Sequence, residues 1–213
     1  MYRRLVPALL LALVLLPVAH PADESAPEGF TSLFNGKDLA GWKVFGGKMD
    51  AWGVEDGLLY VKGGGGGWLM TEKEFGDCDF RLEFRLPKMG NSGVALRAPL
   101  EGNPAYQGME IQLIDEDNWQ GLKPTQLCGA IYDIVGPTKK VIKPHGEWNK
   151  IRVLAKGRKV QIDLNGTEII NANLDDYKEK EKSHPGILRD KGHLGLQSYN
   201  FRVDFRNIYV KPL

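Results

Sequence analysis

Cys78-Asp79-Phe80-Arg81-Leu82-Glu83-Phe84-Arg85-Leu86 alternates between apolar and charged side chains without a break. Successive side chains of a β-strand point to opposite faces. The period of two therefore puts Cys78, Phe80, Leu82, Phe84 and Leu86 on one buried face and sends Asp79, Arg81, Glu83 and Arg85 the other way. Similar runs cover residues 92–97, 109–114, 150–155, 159–164, 168–172, 193–198 and 202–210, and shorter ones lie at 52–54, 58–61 and 68–71. Asn165-Gly166 falls between two runs and predicts a two-residue hairpin, because both central positions of a type I′ turn need φ > 0. Asp56-Gly57 is a second candidate. Asn165-Gly166-Thr167 also fits a glycosylation acceptor, but the turn chemistry accounts for both of its first residues. Residues 63–67 are all glycine and read as a flexible loop; no Gly-Lys-Ser/Thr follows, so they are not a phosphate cradle. Residues 175–183 are the one stretch suited to a short helix or a polar loop. Many short strands and frequent turns predict an all-β fold, an antiparallel β-sandwich of the jelly-roll kind, in one domain with no linker after about residue 29.

The chain has 213 residues, 26% charged and 42% hydrophobic, with 26 glycines and 12 prolines. That composition suits a globular protein rich in turns rather than a disordered chain or a membrane bundle. Arg3 and Arg4, an apolar run from Leu5 to Val18 and the small residues Ala19 and Ala22 read as a secretory leader over residues 1–22. The run is too short for the roughly 20 residues of a spanning helix. Residues 23–28 then form a short linker and residues 29–213 the domain, and the expected location is periplasmic or extracellular. The formal net charge is +1, which argues against nucleic acid and, once the leader is removed, against a membrane surface as partner. Cys78 and Cys128 are the two cysteines. An exported protein could pair them, while Cys78 on an apolar strand face also reads as a small buried hydrophobe.

Three runs carry unusual residues opposite their apolar side. In 92–97, Gly93, Ala95 and Arg97 oppose Val94 and Leu96. In 109–114, Glu110 and Gln112 oppose Met109, Ile111 and Leu113. In 193–198, His193, Gly195 and Gln197 oppose Leu194 and Leu196. A plain solvent face favours β-branched or long charged residues, and Gly93, Ala95 and Gly195 are poor strand formers. Small residues beside Arg97, Glu110, Gln112 and His193 leave room for a polar ligand, so these four are expected to converge on one concave face. Their donors and acceptors suit hydroxyl groups, which makes carbohydrate the expected partner. Tyr106, Trp119 and Tyr132 flank the face and could stack on sugar rings, whereas Trp42, Trp52, Trp68 and Trp148 read as packing residues.

Glu110, Gln112 and Asp115 stand at i, i+2 and i+5. Retaining sandwich glycosidases of β-glucans place Glu, Asp and Glu at this spacing, with the nucleophile and acid carboxyls about 5 Å apart. The present Gln and the shorter Asp make that resemblance weak. A retaining hydrolase using Glu110 and Asp115 thus remains an alternative, as does a non-catalytic carbohydrate-binding sandwich. Glu110, Asp115 and His193 could also ligate a divalent metal, although their spacing is not diagnostic.

The segments Gly29-Phe-Thr-Ser-Leu-Phe-Asn-Gly-Lys-Asp-Leu-Ala-Gly-Trp42, Phe84-Arg-Leu-Pro-Lys-Met-Gly-Asn-Ser-Gly-Val94, Tyr106-Gln-Gly-Met-Glu-Ile-Gln112, Gly146-Glu-Trp-Asn149 and Gly192-His-Leu-Gly-Leu-Gln-Ser198 together resemble the family known as domain of unknown function 1080. That family is now described as 3-keto-disaccharide hydrolase, or 3-keto-glucoside 1,2-lyase and 3-keto-2-hydroxy-glucal hydratase. The resemblance runs from about Gly29 to the C-terminus and implies a concanavalin A-like jelly roll acting on 3-keto-glycosides.

A ketone at C3 acidifies the C2 hydrogen, because the carbanion delocalises into an enolate. A base then removes that proton, the glycosidic oxygen leaves from C1, and water adds to the unsaturated sugar. For this chemistry Glu110 is the expected base, since it stands alone as a carboxylate in the middle of the face; burial should raise its pKa and Arg97 should oppose the rise. Arg97 is expected to hold the enolate or ketone oxygen and His193 to protonate the departing oxygen. Gln112 and Gln197 would orient hydroxyls, and Asp115 would orient His193 or a metal.

Overall fold

The computed structural model describes residues 26–213, so the leader expected over 1–22 and the start of the linker lie outside the described residues. Its strands are β1 (Thr31–Ser32), β2 (Trp42–Phe45), β3 (Trp52–Glu55), β4 (Leu58–Val61), β5 (Trp68–Phe75), β6 (Cys78–Arg85), β7 (Asn91–Ala98), β8 (Met109–Ile114), β9 (Trp148–Lys156), β10 (Lys159–Leu164), β11 (Thr167–Asn173), β12 (Gly192–Gln197) and β13 (Val203–Pro212). Every run read from the alternation coincides with a strand. β1 and β2 were not expected from the alternation. Residues 174–180 form 3₁₀ turns broken at Tyr177, overlapping the stretch 175–183 read as a short helix or loop.

The strands make two antiparallel sheets. The larger runs β11-β10-β9-β6-β13-β4-β3, with β1 also pairing β13, and the smaller runs β2-β5-β12-β7-β8. Both sheets turn their apolar side inward. Phe80, Leu82, Phe84, Ile151, Val153, Phe205 and Val210 of the larger sheet meet Leu69, Val94, Leu96, Ile111, Leu113, Leu194 and Leu196 of the smaller in one core. Each large side chain buried there contributes about 1.5–3 kcal/mol.

The predicted hairpins form. Leu164 pairs Thr167 around Asn165 (φ 52°) and Gly166 (φ 79°), and Glu55 pairs Leu58 around Asp56 (φ 52°) and Gly57 (φ 74°). The Asn165 side chain is engaged in the fold: its Nδ2 donates to Val141 O and its Oδ1 accepts from Lys150 N. The glycine run is a loop that packs closely at Gly63, Gly65 and Gly67. A Cβ on Gly67 would overlap the backbone of Gly46 and Gly47, and one on Gly63 would overlap that of Asn200 and Phe201. Cys78 and Cys128 are free, buried thiols, and burial pushes them up to about 11 and about 12.

Candidate active site

The outward face of the smaller sheet is built by β7, β8 and β12. In register, Gly93 opposes Gln112 and Ala95 opposes Glu110, while Gly195 opposes Ala95 from the other side. Glu110 and Gln112 therefore stand together on this face. The empty space expected beside them is partly taken up by the protein itself. A Cβ on Gly93 would overlap Glu110 Oε1 and lie 2.7 Å from its Cδ, and one on Gly195 would overlap the Met70 sulfur. The small residues thus let Glu110 lie flat on β7 and let Met70 join Trp68, Ala95, Ala98 and Ala105 in a second apolar cluster on the outward face.

Beyond β8 the chain returns along its edge. Gln112 N donates to Ala130 O (2.9 Å), Gly129 N to Gln112 O (2.7 Å) and Tyr132 N to Glu110 O (2.8 Å). This brings Tyr132 beside Glu110. A short helix, α1 (Pro104–Gln107), is capped by the Asn103 side chain accepting from Ala105 N, and it places Tyr106 against the second apolar cluster. The Tyr106 and Tyr132 rings meet edge to face, with centroids 6.4 Å apart. The result is a cleft of about 160 Å³ lined by Glu110, Gln112, Gln197, Tyr106 and Tyr132, with Asn91, Asn103, Ala105 and Tyr199 completing it.

Glu110 is 4% exposed. Burial raises its pKa from the ordinary 4.5 to about 8; a hydrogen bond with Gln197 works against the rise, and the charge of Asp133 adds to it. Burial, then Asp133 and Glu110, also push Tyr106 upward, and burial with Asp133, Tyr106 and Glu110 does the same to Tyr132. Both phenols thus keep their protons beside the carboxyl. Two acceptor atoms of the cleft residues, Gln112 Oε1 and Asn91 Oδ1, are buried with no hydrogen-bond partner, and an acceptor left dry costs about 1–3 kcal/mol.

Four residues expected at this site lie elsewhere. Arg97 adopts φ 52°, and four residues of β7 (Ala95 to Ala98) oppose three of β12 (His193 to Gly195). This bulge reverses the alternation, so Ala98 takes the outward place and Arg97 turns into the molecule. There it is fully buried and donates to Gly157 O (2.8 Å), Arg189 O (3.2 Å) and Asp77 Oδ1 (3.0 Å). His193 does not line the cleft. It sits four residues along β12 from Gln197, ~13 Å at strand rise, and its Nδ1 bonds Thr71 O at 2.7 Å. Asp115 lies past the end of β8, where its Oδ2 accepts from Met89 N (2.8 Å) and Asn118 Nδ2 (2.7 Å). Trp119 packs against the main core and donates to Met89 O (3.2 Å). Asp115 therefore neither pairs with Glu110 as a second catalytic carboxyl nor orients His193. Glu110, Asp115 and His193 also do not gather as metal ligands, and among the described residues no group of three or more His, Cys, Asp or Glu side chains could hold one.

Sequence reasoning missed Asn91, Asn103, Tyr199, Asp133 and His184. The Asp133 carboxylate accepts from Gln126 Nε2 (3.1 Å), at a φ of 55° rare for a side-chain-bearing residue. His184 is buried, bonds Ser183 Oγ (2.9 Å) and stands 5.0 Å from the Tyr106 ring. It closes a Lys/Glu-rich stretch that reads as solvated, and the segment after it is held by the packing of Gly186 against the backbone of Gly108 and by the Arg158 side chain donating to Ile187 O. In a wider hollow of about 470 Å³ on the larger sheet, Arg152 bridges Asp79 and Asp163, and Glu83 is held by Lys150 and Arg206.

Comparison with known proteins bears on both fold and chemistry. Residues 29–211 match the 3-keto-alpha-glucoside-1,2-lyase-like domain. A 3-keto-disaccharide hydrolase of Bacteroides thetaiotaomicron is 26% identical over 87% of this chain and 79% of its own. A candidate glycosyl hydrolase from Parabacteroides distasonis superimposes with a TM-score of 0.77 at 32% identity, covering 87% of this chain and 94% of that one. The carbohydrate-binding module CBM66 of Bacillus subtilis, at 14% identity and a TM-score of 0.57 over 80% of this chain and 95% of that one, shares the fold.

Proposed function

The chain belongs to the 3-keto-alpha-glucoside-1,2-lyase-like family, and from that membership and the geometry of the cleft we propose that it cleaves 3-keto-glycosides by C2 proton abstraction, elimination and hydration. The observation that carries this reading is Glu110, the one carboxylate lining the cleft, buried among amides and phenols and held near pKa 8. Ordinary glycoside hydrolysis uses two carboxyls flanking the bond. Proton abstraction next to a ketone needs one base of tuned pKa and donors for the enolate oxygen.

Glu110 takes the C2 proton. The electron pair forms the C1–C2 double bond as the C1–oxygen bond breaks. With His193 remote, Tyr106 or Tyr132 supplies the proton to the departing oxygen, since both phenols are held neutral in the lining. The Gln112 and Gln197 amides donate toward the C3 oxygen, while the Asn91 and Asn103 side chains of the lining bind sugar hydroxyls. Water then adds its hydroxyl to C1 and its proton to C2, and the sum of the steps is hydrolysis. At about 160 Å³ the cleft is well below the ~300–1,000 Å³ of drug-sized sites, so it accommodates one sugar ring.

The test compares 3-keto-glucosides with the matching ordinary glucosides. Turnover of the keto form alone is expected, together with exchange of its C2 hydrogen in deuterated water. Glu110→Gln should cut both by at least 10²-fold while keeping ligand binding. Cleavage of ordinary glucosides, binding without turnover, or wild-type exchange in the variant would each sink the reading.

A further inference from the structure

If the cleft holds one ring, the remainder of a glycoside must lie across its rim. On the side of Gln197 the chain leaves β12 through Ser198 into Tyr199, which lines the cleft yet is 51% exposed. The loop bearing it is firmly held. Asn200 Oδ1 accepts from Asn91 N (3.0 Å) and Phe201 N (2.9 Å), and Asn200 Nδ2 donates to Met89 O (2.8 Å). Gly64 N donates to Tyr199 O (2.9 Å), and the Gly63 backbone packs so closely that a side chain there would overlap residues 200 and 201. A large aromatic surface is thus left half open on a loop already ordered, next to the polar groups of the cleft. A ring that stacks on it loses little further freedom of the protein, and an aromatic face suits the C–H side of a sugar while its hydroxyls stay in water.

We propose that Tyr199 is the stacking platform for the leaving-group sugar and sets the preference of this protein for 3-keto-disaccharides over 3-keto-glycosides with small leaving groups. The inference rests on the function proposed above. Its test measures kcat and KM of wild type, Tyr199→Ala and Tyr199→Phe on methyl 3-keto-glucoside and on a 3-keto-disaccharide with glucose as leaving group. Tyr199→Ala should raise KM for the disaccharide about tenfold more than it raises KM for the methyl glycoside, while Tyr199→Phe, which keeps the ring, should keep the wild-type ratio between the two. Equal effects of Tyr199→Ala on the two substrates overturn the platform. If wild type turns over neither substrate, the functional reading fails, and calorimetry with the same two compounds decides the platform alone. Weakening confined to the disaccharide upholds it, and equal weakening or none overturns it.

Discussion

Glu110 illustrates how burial changes a common residue into one suited to proton transfer. Its pKa moves from 4.5 to about 8, first by burial and then by the charge of Asp133. The sign of the resulting pH effect follows from proton binding. Below about pH 4.5 the carboxyl is neutral in both folded and unfolded chains. Between 4.5 and 8 only the unfolded chain ionises, so the folded state holds the extra proton and loses stability as pH rises. Glu110→Gln removes this dependence. Denaturant unfolding at pH 5 and pH 8.5 should show wild type losing ~2–4 kcal/mol more than the variant over that interval, at ~1.4 kcal/mol per pKa unit. Parallel losses in the two proteins would show that the carboxyl is not held neutral. The same group predicts that kcat/KM on a 3-keto-glucoside rises with pH and levels off above about 8.

At the level of the element, β7 is where side-chain size sets site geometry. Gly93 provides the flat patch on which the Glu110 carboxyl rests, and there is no room for a Cβ between them. Gly93→Ala should leave the core untouched, because the added methyl points to the outward face. It should displace the Glu110 carboxyl by about an ångström and lower kcat/KM by roughly 10²-fold. Steady-state kinetics combined with a thermal melt checks this, and wild-type kcat/KM in a folded variant would refute it. The alternation of β7 was legible in the sequence up to Leu96. The bulge after it was not, because an extra residue in a strand is set by what its neighbour β12 pairs with and leaves no mark on a single-strand pattern.

Across the whole molecule, Arg97 acts as a tie between parts that the sequence keeps far apart. From β7 of the smaller sheet it reaches Asp77 in the turn that joins β5 to β6 of the larger sheet, Gly157 in the turn between β9 and β10 of the larger sheet, and also the carbonyl of Arg189 before β12. Asp77 Oδ1 in turn accepts from Gly157 N (2.8 Å). Removing a buried charge from such a set strands its partners, so Arg97→Ala should lower the unfolding free energy by about 3 kcal/mol. Urea denaturation measures it. A loss below about 1 kcal/mol would show that the two sheets are held at that end by packing alone.

By itself the sequence determined the two-sheet fold, the strands other than β1 and β2, both hairpin turns and the placement of Glu110 and Gln112 on one face with Gln197 near by. These are consequences of local rules: a period of two for a half-buried strand and positive φ for a two-residue turn. Tertiary structure alone decided the rest. Arg97 turned inward at a bulge, and His193 fell too far along its strand from Gln197 to share the cleft. Asp115 was taken up by the loop at Met89. Tyr199, Asp133 and His184 reached the cleft or its wall from loops whose positions are set by contacts between distant segments. Parity along one strand tells which side a residue faces, but which residues meet there depends on pairing register and loop docking, and both are properties of the assembled chain.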